Sequence, residues 1–164
     1  MEISRKTDYA LRTLAYLASQ PNKVLSVRMA SEKNAIPYSF ARSIQHELVK
    51  AGMIESVRGA AGGMRLIVDP KEVTLLQIVE TMQGPVRIAT CDTAGCENGV
   101  CERMETCGFN PIWRGACKML NEYFSSVTLH DIITGEKAPT LTSNFNDPES
   151  FKPFVKEASE KLSM

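Results

Sequence analysis

The sequence predicts a mostly α-helical fold with one small β-wing, a winged helix-turn-helix domain followed by a long dimerisation helix. Three observations predict it. The first fifty residues hold three helical segments, the last two on either side of a tight break; two short β-prone runs then flank a glycine-rich loop; and a long amphipathic stretch begins at Pro111.

Leu11, Leu14, Ala15 and Ala18 recur at helical spacing between Ser4 and Ser19, and Pro21 with Asn22 ends that run. Ser26 offers an N-cap for a short helix from Val27 to about Lys33, and Ala35, Ile36 and Pro37 form the break after it. Ser39 is the next cap candidate, opening a helix to Lys50 with Ile44, Leu48 and Val49 on one face and Gly52 as its stop. The runs Met53 to Val57 and Met64 to Val68 read as strands joined through Arg58-Gly59-Ala60-Ala61-Gly62-Gly63, whose glycines supply the positive φ values of a hairpin loop. Thr74 caps a helix from Leu75 to Met82 that Gly84-Pro85 terminates. Asn110 and Pro111 read as an N-cap and first-turn pair for a helix to Thr128, with Trp113, Ala116, Cys117, Leu120, Phe124 and Val127 along one face. That face needs a partner. Asp147-Pro148 opens a last helix carrying Phe151, Phe154, Val155, Ala158 and Leu162 on one side, after a loop from Gly135 to Asn146.

The 164 residues divide into a helix-turn-helix domain over 1–84, a cysteine-rich loop over 85–110, the long helix region over 111–135 and a tail with a short helix over 136–164. No apolar run is long enough to span a bilayer and the N-terminus is charged without an apolar signal core, so the expectation is a cytoplasmic protein. Net charge is zero, which by itself argues against nucleic acid. The average conceals an asymmetry: residues 1–80 carry 11 basic against 8 acidic side chains, and residues 81–164 carry 8 against 11. A basic N-terminal half suits a DNA-contacting module, as does an arginine set among small residues at the wing tip.

Cys91, Cys96, Cys101 and Cys107 are spaced Cys-x4-Cys-x4-Cys-x5-Cys in a loop rich in Gly, Asn and Thr. In a reducing compartment such a group is a metal or redox site more often than a disulfide framework. Zinc sites commonly pair ligands as Cys-x2-Cys, which is absent, whereas wider spacing suits an iron–sulfur cluster; zinc and bare redox thiols stay open as alternatives. Cys107 precedes a helix N-terminus, where the dipole favours a thiolate. Cys117 falls on an apolar helix face and reads as core. There is no Cys-x-x-Cys, no phosphate-cradling glycine loop and no carboxylate pair to make the chain a thiol oxidoreductase or another enzyme.

Three segments together resemble the Rrf2 family of bacterial transcription regulators: Lys6-Thr-Asp-Tyr-Ala-Leu-Arg-Thr-Leu-Ala-Tyr-Leu-Ala18, the wing Ser56-Val-Arg-Gly-Ala-Ala-Gly-Gly-Met-Arg-Leu66, and a cysteine loop ending in Cys107-x5-Trp113. The resemblance runs from Met1 to about Gly135. It implies a homodimer paired through the helix from Pro111, two winged helices reading palindromic double-stranded DNA, and a [2Fe–2S] or [4Fe–4S] cluster on three loop cysteines and a fourth residue. Register from Trp113 assigns Cys101 and Cys107 to the last two family cysteines. The first ligand is Cys91 or Cys96, because this sequence has one cysteine more than the pattern. Where one branch of the family has a histidine ligand, this chain has Asn110; where the nitric-oxide-sensing branch uses an aspartate of the first helix, from the other subunit, it has Asp8. Four cysteines, or three and Asp8, are therefore both open.

For DNA, the resemblance and the exposed side of the third helix single out Ser26, Tyr38, Ser39, Arg42, Ser43, Arg58 and Arg65. Arg42 suits guanine O6 and N7 in the major groove and Arg58 the minor groove, while Arg65 is either a phosphate contact or a surface charge. His46 reads as surface or packing. The function these residues imply is a DNA-binding regulator, a repressor in the first reading, whose operator affinity follows a cluster sensing redox state, nitric oxide or iron. A thiol-based or metabolite-responsive regulator of the same fold, without a cluster, is the alternative.

Overall fold

The computed structural model describes residues 1–59, 61–89, 101, 103–104 and 106–135, and these fall into two compact bodies. The first holds residues 2–85 and 124–135, the second residues 86–123, both within the described set. Cys91, Cys96 and the helix expected after Asp147 lie outside the described residues.

Helix α1 (Arg5–Ala18) starts where the Ser4 hydroxyl accepts the Thr7 amide N–H at 3.1 Å. Its inner face, Ala10, Leu14 and Leu17, is the centre of the core. Helix α2 (Val27–Lys33) is capped by Ser26, and α3 (Tyr38–Lys50) packs Ala41, Ile44 and Leu48 inward at i, i+3 and i+7. The turn between them is closed twice: Ser31 Oγ donates to the Ile36 carbonyl at 2.6 Å, and the Ile36 N–H returns to the Ser31 carbonyl at 2.9 Å. Ala35 takes φ 52° to allow this.

Helix α3 begins one residue before the expected cap. Pro37 occupies the N-cap position at φ −57°, no side chain caps the helix, and Ser39 is an exposed residue of the first turn. Proline supplies the geometry that a capping serine was expected to supply.

Strands β1 (Ile54–Val57) and β2 (Gly63–Leu66) pair antiparallel, Ile54 with Leu66 and Glu55 with Arg65. Leu25 adds a third short rung by exchanging two 2.9 Å backbone bonds with Met64. That approach requires Gly63, since a Cβ there would collide with the Leu25 carbonyl.

Helix α4 (Leu75–Gln83) follows a capping box of Thr74 and Gln77. Gln83 ties its end to the start of α1: its Oε1 accepts from the Thr7 hydroxyl at 2.7 Å and the Ser4 N–H at 3.0 Å, and its Nε2 donates to the Glu2 carbonyl at 3.1 Å.

The long helix α5 (Asn110–Ser126) ends two residues before the expected Thr128, and a short helix α6 (Leu129–Thr134) follows that the periodicity did not reveal. The reason is a second capping box: Thr128 N–H donates to Asp131 Oδ2 at 2.9 Å and Asp131 N–H to Thr128 Oγ1 at 3.1 Å. Val127, placed by the sequence on the pairing face, is instead buried in the first body, where its carbonyl accepts the Leu75 N–H at 2.8 Å. Leu129, completely buried, joins the core beside α1.

A left-handed alanine is strained by its Cβ, by about 1 kcal/mol. Ala35→Gly is therefore expected to raise the melting temperature by roughly 2–4 °C despite glycine's entropy, checked by thermal denaturation; an unchanged or lower midpoint would show that glycine's chain entropy outweighs the relief of αL strain.

Candidate functional site

Helix α3 divides its residues by face. Because Ala41, Ile44 and Leu48 go inward, the intervening Tyr38, Ser39, Arg42, Ser43 and His46 are turned outward, so the first two turns present hydroxyls, Arg42 and His46 beside the exposed rings of Tyr38 and Phe40. The wing is tied to this helix by Gln45 Nε2, which donates to Ser56 Oγ at 2.9 Å, and Arg58 stands exposed at the head of its loop. Ser26 spends its hydroxyl oxygen on the cap of α2, accepting the Met29 N–H at 3.1 Å.

The arginines differ in availability. Arg65 forms a half-exposed ion pair with Glu55 across the strand pair, with Nε at 2.7 Å and Nη2 at 2.5 Å from the same Oε1. Arg42 and Arg58 make no ion pair among the described residues, and neither does Arg28, whose guanidinium lies 5.8 Å from the centre of the Tyr38 ring. Sequence reasoning passed over Arg28. Its position two residues after the Ser26 cap, in the first turn of α2, was the available signal.

Asp8 lies in the first turn of α1, half-exposed, with its Oδ2 2.7 Å from Arg12 Nη2. The same turn grips α3 on both sides of Asp8: Lys6 Nζ is 2.6 Å from Glu47 Oε1, and the Tyr9 ring meets Phe40 edge to face at 5.7 Å.

In the second body, Cys101 is an exposed thiol and Cys107 a half-buried one, and neither is in a disulfide. Each opens a turn. The Met104 N–H donates to the Cys101 carbonyl at 2.9 Å, and the Asn110 N–H to the Cys107 carbonyl at 3.3 Å, where α5 begins. Asn110, expected as a cap, is instead the first helical residue; it is buried, and its Nδ2 has no hydrogen-bond partner. Cys117 is buried as expected, with its sulfur accepting the Ile88 N–H at 3.3 Å. On α5 the residues Trp113, Ala116, Leu120 and Phe124 remain partly or fully open, and Phe109, Ile112 and Trp113 are the most exposed large apolar side chains near its start. Among the described residues no three His, Cys, Asp or Glu side chains converge on one point, and no helix is long and apolar enough to cross a membrane.

A helix-turn-helix with an outward polar face, braced by a two-stranded wing that carries an unpaired arginine, defines a DNA-binding protein of the winged-helix class. A family model described as Rrf2, iron-dependent transcriptional regulator, matches residues 3–135. The chain belongs to the Rrf2 family of transcriptional regulators. It is 29% identical over 137 residues to the HTH-type transcriptional regulator NsrR of Shouchella clausii, covering 83% of this chain and 91% of that protein. With the HTH-type transcriptional regulator IscR of Vibrio parahaemolyticus it shares 27% identity over 137 residues, 82% of this chain and 78% of the other. Among solved structures it is similar in fold to CymR, the global cysteine regulator of Bacillus subtilis, with a TM-score of 0.64 at 23% identity over 84% of this chain and 99% of that one. The IscR of T. potens superposes with a TM-score of 0.63 at 21% identity, covering 84% and 89%.

The graded exposure of the three described thiols is measurable. In cluster-free reduced protein, a bulky alkylating reagent is expected to modify Cys101 first and Cys107 more slowly, and to reach Cys117 only on unfolding. Mass mapping of the adducts with time checks this order, and early labelling of Cys117 would contradict its place in the core.

Proposed function

We propose that this chain acts in the cytoplasm as a homodimeric repressor whose affinity for a palindromic operator is set by an iron–sulfur cluster bound at the cysteine loop. The observation that carries this reading is the pair Cys101 and Cys107: two unbridged, solvent-reachable thiols at the openings of successive turns before α5. The donor chemistry fits the group, since thiolates are the usual ligands of such clusters and a buried amide N–H without an acceptor lies three residues from Cys107. Cys101 and Cys107 would hold the cluster together with Cys91 and Cys96, or with one of those two and the partner subunit's Asp8. When bound, the cluster supplies an iron centre that reacts with oxidants and nitric oxide and whose loss signals iron shortage.

The chain's own residues supply the response. Asp8 becomes a ligand only by leaving Arg12, and the turn that carries it holds α3 through Lys6–Glu47 and Tyr9–Phe40. A pull on Asp8 thus acts on the helix that reads DNA, and in a dimer it changes the spacing of two such helices against one turn of DNA, about 34 Å. On the DNA, Tyr38, Ser39, Arg42 and Ser43 face the major groove, Arg58 the minor groove, and Ser26 the backbone.

A second reading, a thiol-switched regulator without a cluster, is favoured by the exposure of Cys101 and by the likeness in fold to CymR, one of whose solved Staphylococcus aureus structures is an oxidized form. Colour separates the two. Anaerobically prepared protein is expected to absorb in the visible range, and Cys101→Ser or Cys107→Ser to abolish that absorption, because a hydroxyl is a poor iron ligand at neutral pH. Full colour in both variants overturns the assignment, and colourless wild-type protein leaves the thiol switch. Serine at Cys91, serine at Cys96 and Asp8→Ala then decide the remaining ligands.

Arg42→Ala is expected to weaken binding to the cognate operator by about 1–3 kcal/mol and to relax base preference at one position, read by titration against a panel of base-substituted sites. Equal loss on every site would make Arg42 a phosphate contact.

The partly open face of α5 gives the dimer its test. Leu120→Asp is expected to yield a monomer of unchanged helix content that no longer binds the operator; a variant still dimeric in sedimentation moves the interface elsewhere.

A further inference from the structure

Asn110 is 3% exposed, and its Nδ2 is one of only two buried side-chain polar atoms lacking a partner among the described residues; the other is Asn121 Oδ1. Buried amide donors are satisfied with few exceptions, so a single orphan calls for a specific account. Capping does not provide one. An N-cap asparagine works through its side-chain oxygen as an acceptor of backbone N–H groups, while the atom stranded here is a donor, and the residue stands inside the helix.

The sequence places a thiol three residues before Asn110. The Asn110 N–H closes a turn on the Cys107 carbonyl at 3.3 Å, which brings the two residues to the first and last positions of a four-residue turn. Of the residues between, Gly108 has no side chain and Phe109 is 63% exposed, so Cys107 is the other residue of this turn with a hydrogen-bonding side chain, and in the cluster-free chain its sulfur does not accept from Nδ2. A neutral thiol is a weak acceptor. A metal-bound thiolate sulfur carries negative charge and accepts N–H donors well, and such hydrogen bonds are among the levers that set a cluster's potential.

We propose that Asn110 is a positioning residue whose Nδ2–H donates to the Cys107 sulfur once that sulfur is a cluster ligand. The inference rests on the cluster reading above. Its physical content is that the chain keeps an unsatisfied donor in the cluster-free state, and that the loaded state alone completes it. The hydrogen bond stabilises the more negative, reduced cluster, raises its reduction potential and slows loss of the Cys107 ligand.

Asn110→Leu, close in shape and without the donor, separates this role from a packing role. In the cluster-free protein the variant is expected to melt at the wild-type temperature or higher, because it removes a buried unsatisfied group. In the loaded protein it is expected to shift the reduction equilibrium about tenfold toward the oxidised form, equivalent to about 59 mV for one electron, and to lose visible absorption in air about tenfold faster. Asn110→Asp, which keeps the shape and exchanges the donor for an acceptor, is expected to lower the potential as well, and it stands as the test should the leucine variant fail to fold. Wild-type potential and lifetime in whichever variant folds would overturn the proposal, as would a fall in cluster-free stability with the loaded properties unchanged. Colourless wild-type protein is a separate result: it removes the cluster reading itself, and this hydrogen bond with it.

Discussion

The burial of one face of α1 is the constraint on which the first body depends. Ala10 and Leu14 are completely buried and Leu17 nearly so, in one cluster with Ile44 and Leu48 of α3, Ile78 and Met82 of α4, and Leu129 of α6. Each fully buried leucine or isoleucine contributes about 1.5–3 kcal/mol, so the set outweighs the surface ion pairs nearby, each worth about 0–1 kcal/mol. With α1 fixed at the centre, the weaker contacts have a different use. Lys6–Glu47 and Tyr9–Phe40 fix how α3 is rotated against α1, and the Gln83 bonds to Thr7, Ser4 and Glu2 fix where α1 begins.

From that anchoring follows the division between residues available to DNA and residues consumed by the fold. Three apolar positions turn α3 one way and so turn its serines and Arg42 the other. In the wing, strand register places Arg65 opposite Glu55, and opposite charges in directly facing positions attract each other. Arg58 has no such partner because the strands end at Val57 and Gly63, leaving it on the loop. Two arginines seven residues apart thus differ in ion pairing among the described residues through strand register.

Legibility in the sequence followed the range of the interaction concerned. Ser26 and Thr74 act over three residues and cap the helices expected of them, and Ser4, not read as a cap, does the same for α1. Pro37 displaced Ser39 because both satisfy rules for helix starts, and only the turn through Ala35 decides between them. Val127 was misread for a related reason: its spacing continues the apolar face of α5, while the Thr128–Asp131 capping box, equally local, ends that helix and sends the residue to a backbone partner more than fifty positions away. The commitment of Arg65 to Glu55 needed the strand register, and the orphaned amide of Asn110 needed its burial; neither is encoded in neighbouring residues. The cysteine pattern could be read as a cluster, zinc or redox-thiol site because the spacing limits the chemistry, yet the choice between Cys91 and Cys96 is a long-range question that no local rule touches.

The segment that carries Cys107 runs without a break into α5. Cys107 and Asn110 close the turn from which α5 starts, with the exposed Phe109 inside it and the exposed Ile112 and Trp113 just after. At seventeen residues α5 is about 25 Å long. Its far end runs through Ser126 into Val127, whose carbonyl is bonded to Leu75, and on to Thr128, which pairs with Thr74. On the proposed reading, a change in what Cys107 binds acts first on the turn that starts α5, the helix whose partly open face is the one proposed to meet a second copy.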